Sequence, residues 1–220
     1  MERKVIVTAD GSSTIHLSEW DENYHSKHGA IQEAKHVFIK SGLSLFSNAN
    51  ISILEIGFGT GLNSFITFLE AKKFNLEVDY VGVEAYPVSA DEIKYLNYVE
   101  QLEATDFEAV FAKMHQQKWE LKTEISPVFS LTKRQQFFND INDENIFNLI
   151  YFDAFGARVQ PELWTEEIFS KMYNALKKEG VLVTYSAKGS VRRALQTVGF
   201  LVEKLPGPPG KREMLRATKK

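Results

Sequence analysis

A doubly wound, mostly parallel α/β sheet is the fold class that the 220 residues predict, and three observations predict it. An apolar run, Ile51-Ser52-Ile53-Leu54-Glu55-Ile56, breaks into three alternate glycines, Gly57, Gly59 and Gly61. It resumes as Ser64-Phe65-Ile66-Thr67-Phe68-Leu69, whose apolar residues recur at helical spacing. Two later apolar runs each end in a carboxylate, Glu84 and Asp153. Only five residues, Pro206 to Gly210, join the last two predicted strands, too few for a parallel crossover, so that pair must be antiparallel.

The elements follow in order. Residues 5–8 and 14–17 read as a hairpin around Asp10-Gly11, and a helix over about 29–45 carries a stripe of Ile31, Ala34, Val37 and Phe38. Residues 1–50 are thus an extension expected to cover an edge or mouth of the sheet, with its His and Tyr residues structural. The domain proper is 51–220. Strand, glycine turn and helix over 51–69 form a nucleotide-binding unit: glycine permits positive φ and lets ligand atoms approach the backbone, and the helix opening at Leu62-Asn63 offers unpaired N–H groups. A dinucleotide turn wants G-x-G-x-x-G, whereas here Leu62 follows Gly61 and the third glycine comes one residue early.

The second strand, 77–84, ends in Glu84, placed to accept hydrogen bonds from ribose hydroxyls. Ser89 caps a short helix over 89–96, and 100–126 are helical in part. A third strand begins at Val128 and is carried by Phe137 and Phe138 toward Asp140, expected to accept from an adenine amino group. The fourth, 146–152, delivers Asp153 to the crevice beyond the carboxyl ends of the strands, where transferred atoms belong. A helix over 162–178 is expected to stop at Gly180, followed by a strand over 181–186, a helix over 190–198 stopped by Gly199, and strands over 200–205 and 211–217. That makes seven strands.

The absence of cysteine excludes disulfides, thiolate metal sites and a cysteine nucleophile, and the five histidines show no H-E-x-x-H spacing, so no metal is expected. No run reaches the roughly 18–20 apolar residues of a membrane span, and Met1-Glu2-Arg3-Lys4-Val5 lacks a secretion signal's apolar region, so the expectation is a cytoplasmic protein without membrane contact. The formal net charge of −3 is uneven. From Lys188 onward nine basic residues face only Glu203 and Glu213, a local excess of +7, which leaves −10 on the rest. Such a tail draws a polyanion to one face or is simply solvated, and charge alone leaves both open.

The alternating glycines preceded by Glu55 resemble motif I of class I S-adenosylmethionine (SAM) methyltransferases, whose sheet also ends in an antiparallel hairpin strand. The whole pattern resembles the MnmD family and the methyltransferase half of bifunctional MnmC. The likeness rests on Asp10-Gly11-Ser12 with the downstream Tyr24 to Phe38 region, on Leu54 to Asn63, on Phe152-Asp153-Ala154-Phe155 with Pro161-Glu162-Leu163-Trp164, and on Tyr185-Ser186-Ala187 with Gly189-Ser190-Val191-Arg192-Arg193 and Lys211-Arg212-Glu213-Met214-Leu215. It departs at Gly156-Ala157-Arg158-Val159-Gln160, where the family usually has Ala-Pro and Lys-Asn; losing the proline should loosen that loop.

The resemblance implies transfer of a methyl group from SAM to the amine of 5-aminomethyl-2-thiouridine at the wobble position of tRNA. Glu55, Gly57, Gly59, Gly61, Asn63, Glu84 and Asp140 would hold SAM. Asp153 and Tyr185 would serve the reaction, Phe155 would stack on the base, and Arg192, Arg193, Lys211 and Arg212 would take phosphates of the anticodon loop. A functional link to enzymes that make the aminomethyl precursor is expected. The alternatives are a class I methyltransferase acting on a small molecule or a protein, a nicotinamide-dependent oxidoreductase, and a non-enzymatic SAM-binding scaffold.

Overall fold

The chain opens with an antiparallel meander, β1 (Arg3–Val7), β2 (Ser13–Leu17) and β3 (Glu22–Asn23), with Val5 opposite Ile15. The single helix expected next is divided into α1 (Ala30–Ala34), a wider π turn over Lys35–Lys40 and a 3₁₀ turn over Leu43–Leu45. The Ser41 hydroxyl bonds back to the His36 carbonyl at 2.9 Å, five residues away, which suits the wider turn and lets Val37, Phe38 and Ile39 all reach the core. Asp10 holds the start of α1: its Oδ2 accepts from the Gln32 N–H at 3.0 Å.

The central unit is β4 (Ala49–Ile56), α2 (Leu62–Ala71) and β5 (Leu76–Val83). Short helices α3 (Ala90–Ile93), α4 (Tyr98–Gln101) and the longer α5 (Glu108–Gln116) follow, α3 opening on a capping box between Ser89 and Glu92. Then come β6 (Thr123–Ser126), β7 (Phe129–Arg134), β8 (Phe147–Phe152), α6 (Glu166–Ala175), β9 (Leu176–Thr184), α7 (Gly189–Val198), β10 (Leu201–Pro206) and β11 (Glu213–Thr218).

In this computed structural model, which describes residues 2–220, the main sheet has eight strands in the order β10-β11-β9-β8-β4-β5-β7-β6. The five central strands are parallel; β11 lies antiparallel between β9 and β10, as the short 206–210 connection requires. The expected count of seven is corrected by β6, an antiparallel edge strand with a bulge at Glu124/Ser126. Only Ile125 of its four residues is buried, so no alternation marks it. The stretch before Asp140 does not prolong β7 either: Phe138–Asp140 is a 3₁₀ turn.

Gly180 is not a helix stop. The helix ends at Ala175, where the carbonyls of Asn174 and Ala175 accept from Asn145 and Ile146, and Leu176–Thr184 runs as strand through Gly180. The two sheet faces are filled separately. Phe38, Phe65, Tyr98 and Phe111 lie on one, and Phe152, Trp164, Phe169 and Leu195 on the other. The strand order reverses between β4 and β8, so the crevice for a ligand opens at their carboxyl ends.

Candidate active site

Gly57 follows β4 and Asp153 follows β8 at that reversal, and the Asp153 N–H donates to the Ile56 carbonyl at 2.9 Å. Gly57 has φ +89°, and a Cβ there would lie 2.7 Å from the Asp153 carbonyl oxygen, so only glycine lets the two strand tips meet. Gly61, at φ +72°, is the residue from which α2 starts. Between them the Gly59 N–H donates to Glu84 Oε2 at 3.0 Å, while Glu84 Oε1 accepts from the Tyr86 N–H at 2.9 Å. A carboxylate keeps further lone pairs after two such bonds, so Glu84 can still accept from a diol.

A cavity of 1070 Å³ opens over this turn and continues past Asp153 beneath the N-terminal extension. Gly57, Gly59, Asn63 and Glu84 line its first half. Asp153, Phe155, Tyr185 and Lys211 line its second, together with Trp20 and Glu33 from the extension; Tyr24 lies between the halves, its ring edge 3.1 Å from where a Cβ on Gly59 would stand. Glu55 and Gly61 are not at the surface of the cavity; they act from behind it. Glu55 is 0% exposed, and burial holds its carboxyl well above the usual range despite hydrogen bonds from Asn63 and Tyr80. The Asn63 amide nitrogen spans two carboxylates, donating to Glu55 Oε1 at 2.9 Å and to Asp153 Oδ2 at 2.8 Å. Its Oδ1 is buried with no hydrogen-bond partner among the described residues, an acceptor matched to a ligand's ammonium.

Burial pushes the Asp153 carboxyl up to about 7, Glu33 adds to the rise, and the Asn63 hydrogen bond and Lys211 oppose it. Asp153 therefore changes charge near neutral pH. His25 also borders the cavity, but burial pushes it down to about 4, so it is uncharged there. Tyr185 donates to the Ala154 carbonyl at 2.8 Å and turns its ring toward Lys211. Phe155 meets Trp20 and Tyr24 edge to face, with centroids 5.7 and 5.0 Å apart, and Trp164 Nε1 donates to the Phe155 carbonyl at 2.8 Å. The divergent 156–160 loop is tied down by Arg158, whose guanidinium donates to Glu22 Oε2 at 2.8 Å and to the Trp20 and Asp21 carbonyls. That latch restrains the loop where the expected proline is missing.

Several expected site residues lie elsewhere. Asp140 is exposed and outside the cavity, because the 3₁₀ turn points Asn139 inward instead; Asp143, the next acid along the chain, pairs with Arg134 at 2.7 Å. Arg193 and Arg212 are exposed and Arg192 is half-buried, all three outside the cavity. Lys211 faces inward and pairs with Glu33. Trp20, Tyr24 and Glu33 are site residues that the sequence pattern does not reveal. Trp20 and Tyr24 are signalled only by the polar, aromatic character of 19–26, and Tyr24 and Glu33 by the resemblance over Tyr24 to Phe38; nothing local in the sequence ties any of them to Asp153.

A polar nucleotide turn, a carboxylate past the second strand and an unpartnered acceptor on Asn63 fit a nucleoside bearing an amino acid. Comparisons with known proteins agree. Residues 99–220 match the family model described as S-adenosyl-L-methionine-dependent methyltransferase. The chain is 31% identical over 211 residues to the tRNA 5-methylaminomethyl-2-thiouridine biosynthesis bifunctional protein MnmC of Leptospira borgpetersenii serovar Hardjo-bovis (strain JB197), covering 89% of this chain and 32% of that protein. To the protein of the same name from Campylobacter fetus subsp. fetus (strain 82-40) it is 27% identical, covering 93% and 34%. It thus spans about a third of the length of these curated relatives.

Among solved structures, MnmC2 from Aquifex aeolicus superposes with a TM-score of 0.79 at 26% identity, covering 100% of this chain and 70% of that one. Spermidine synthase from Thermotoga maritima, at 15% identity and TM-score 0.58 over 99% and 68%, shares the fold. Among the described residues no helix is long and apolar enough to cross a membrane. The chain belongs to the family of S-adenosyl-L-methionine-dependent methyltransferases.

Proposed function

We propose that this chain methylates the amine of 5-aminomethyl-2-thiouridine at the wobble position of tRNA. One observation carries the reading: the cavity runs unbroken from the nucleotide turn, past Asp153, into a compartment walled by Trp20, Tyr24, Phe155 and Tyr185. Relatives named for 5-methylaminomethyl-2-thiouridine biosynthesis support it. In this reading residues 51–220 are the transfer domain and residues 1–50 supply the outer wall of the acceptor compartment.

Gly57, Gly59, Glu84 and Asn63 would hold SAM, the glycines by close approach, Glu84 at the ribose and Asn63 Oδ1 at the amino group. Glu55 and Gly61 support them from behind. When bound, SAM supplies an activated methyl group: an N–C bond forms as the S–C bond breaks, its electron pair staying on sulfur. The protein's share is alignment and exclusion of water. Asp153 orients the amine and accepts its proton, a role that suits a group changing charge near 7. Phe155, Tyr24 and Trp20 give a flipped base aromatic edges and faces to lie against. Arg192, Arg193 and Arg212, outside the cavity and close in sequence to Tyr185 and Lys211, would take phosphates of the anticodon loop. Nucleoside analysis of tRNA from cells lacking this protein tests the proposal. Accumulation of the aminomethyl nucleoside supports it, and an unchanged tRNA profile removes it.

A further inference from the structure

The Glu33–Lys211 pair is built into the cavity wall. Glu33 comes from α1 and is 8% exposed; Lys211 comes from the loop between β10 and β11, 178 positions away in sequence. The Lys211 ammonium donates to Glu33 Oε1 and stands 3.9 Å from the centroid of the Tyr185 ring. Glu33 Oε2 accepts from the Ser26 N–H at 2.9 Å, so both carboxylate oxygens are engaged. Glu33 and Lys211 line the wall that Asp153 lines and act on it with opposite sign.

A purely mechanical reading would make the pair a staple between the extension and the hairpin loop. His36 Nε2 already makes such a tie, at 2.8 Å from the Pro206 carbonyl oxygen. A staple requires neither a nearly buried acid nor a cation laid over a ring of the cavity, and desolvating both charges is costly. We propose that Glu33 and Lys211 are opposed positioning residues for the acceptor amine: together they set whether Asp153 meets it as a carboxylate, able to take its proton, or as a carboxylic acid. The inference rests on the reading of the acceptor as an alkylamine.

An alkylamine arrives at neutral pH mostly as the ammonium, which has no free lone pair. Transfer to Asp153 breaks one N–H bond, leaves the electron pair on nitrogen and forms an O–H bond on the carboxylate, turning a cation and an anion into two neutral groups. Glu33 favours the protonated acid and Lys211 the carboxylate, so the pair sets the pH above which Asp153 stands as a carboxylate and how firmly it holds the proton it takes. The other groups facing Asp153 are Asn63 on α2, which does not titrate, and Glu55 on β4, Tyr80 on β5 and Tyr185 after β9, all held toward their neutral forms by burial. Near neutral pH, Glu33 and Lys211 are therefore the neighbours that carry opposed charges.

The test compares E33Q, K211M and K211R by two readouts: the pH dependence of kcat/KM on tRNA bearing the aminomethyl group, and the titration of Asp153 in protein labelled with 13C at aspartate carboxyls, its resonance assigned with D153N. E33Q should lower both midpoints by about one pH unit, K211M should raise them by about as much, and K211R should leave them in place. Because the two charge removals move in opposite directions, either variant alone still decides if the other fails to fold. Midpoints unmoved in both, with only the rate reduced, would overturn the proposal in favour of the staple. Should the parent transfer no methyl group to this tRNA, the acceptor reading fails, while the carboxyl titration still decides whether Glu33 and Lys211 set the charge of Asp153.

Discussion

The two halves of the cavity are made in different ways. The cofactor half is mostly backbone, with N–H groups, missing Cβ atoms and one helix start all within a dozen residues of β4, completed by the side chains of Asn63 and of Glu84, which is bonded back onto Gly59. The acceptor half is side chains gathered from the N-terminal meander and α1, from the tip of β8, from the end of β9 and from the last hairpin loop. Asp153 stands at the junction, held by Asn63 of the first half and swayed by Glu33 and Lys211 of the second. A site built this way separates what it binds from what it reacts with. Binding of the nucleoside depends on local chain geometry, whereas acceptor choice depends on tertiary assembly, so substitutions in the two halves should fail differently.

The largest effect is expected at the junction. D153N keeps an acceptor for the Asn63 amide but removes the proton-accepting carboxylate, so turnover should fall by roughly 10²–10⁴-fold while SAM affinity, measured calorimetrically, stays within about threefold. Next is the cofactor half: G57A places a Cβ against the Asp153 carbonyl oxygen in a left-handed backbone, a strain of about 1–3 kcal/mol. SAM affinity should drop roughly 5–100-fold. In the acceptor half, F155A should raise KM for tRNA about tenfold with SAM affinity unchanged, since stacking on one base is worth about 1–3 kcal/mol. A larger loss of SAM binding in F155A than in G57A would erase the distinction between the halves.

Smaller effects test the rim and the fold. R193A and R212A should each weaken tRNA binding and reduce the slope of log affinity against log salt by about one, read by filter binding over a salt series. The smallest concerns stability. The Asp153 carboxyl ionises at about 7 in the folded chain against an ordinary 3.8, so between those values the unfolded chain binds fewer protons and stability declines as pH rises. Thermal melts from pH 4 to 8 should show that decline, and D153N should lessen it, the remainder belonging to Glu55, whose carboxyl burial also raises; an unchanged slope would mean that Asp153 titrates as in the unfolded chain.

The same division decides what is legible in the sequence. The glycine turn, Glu84 and Asp153 can be read there because strand, turn and carboxylate are neighbours in the chain and doubly wound topology places strand tips together. Glu33 and Lys211 cannot, because 178 positions separate them and only the folded hairpin loop brings them into contact. A basic residue in a basic tail has the signature of a phosphate ligand, and only tertiary contacts turn Lys211 inward. Asp140 fails for a local reason: the chain leaves strand geometry after Arg134, and the alternation that would have aimed the carboxylate is lost. The edge strand β6 and the strand path through Gly180 are hidden likewise, the first by its shortness and the second by tertiary bonds at the end of α6.

The most direct measurement is methyl transfer from labelled SAM by the purified protein to tRNA carrying 5-aminomethyl-2-thiouridine, with tRNA lacking the aminomethyl group and bulk protein as parallel acceptors. The account predicts label recovered only in a secondary amine at the wobble nucleoside, and lost in D153N while SAM binding persists. Label in protein, or transfer undiminished in D153N, would contradict it.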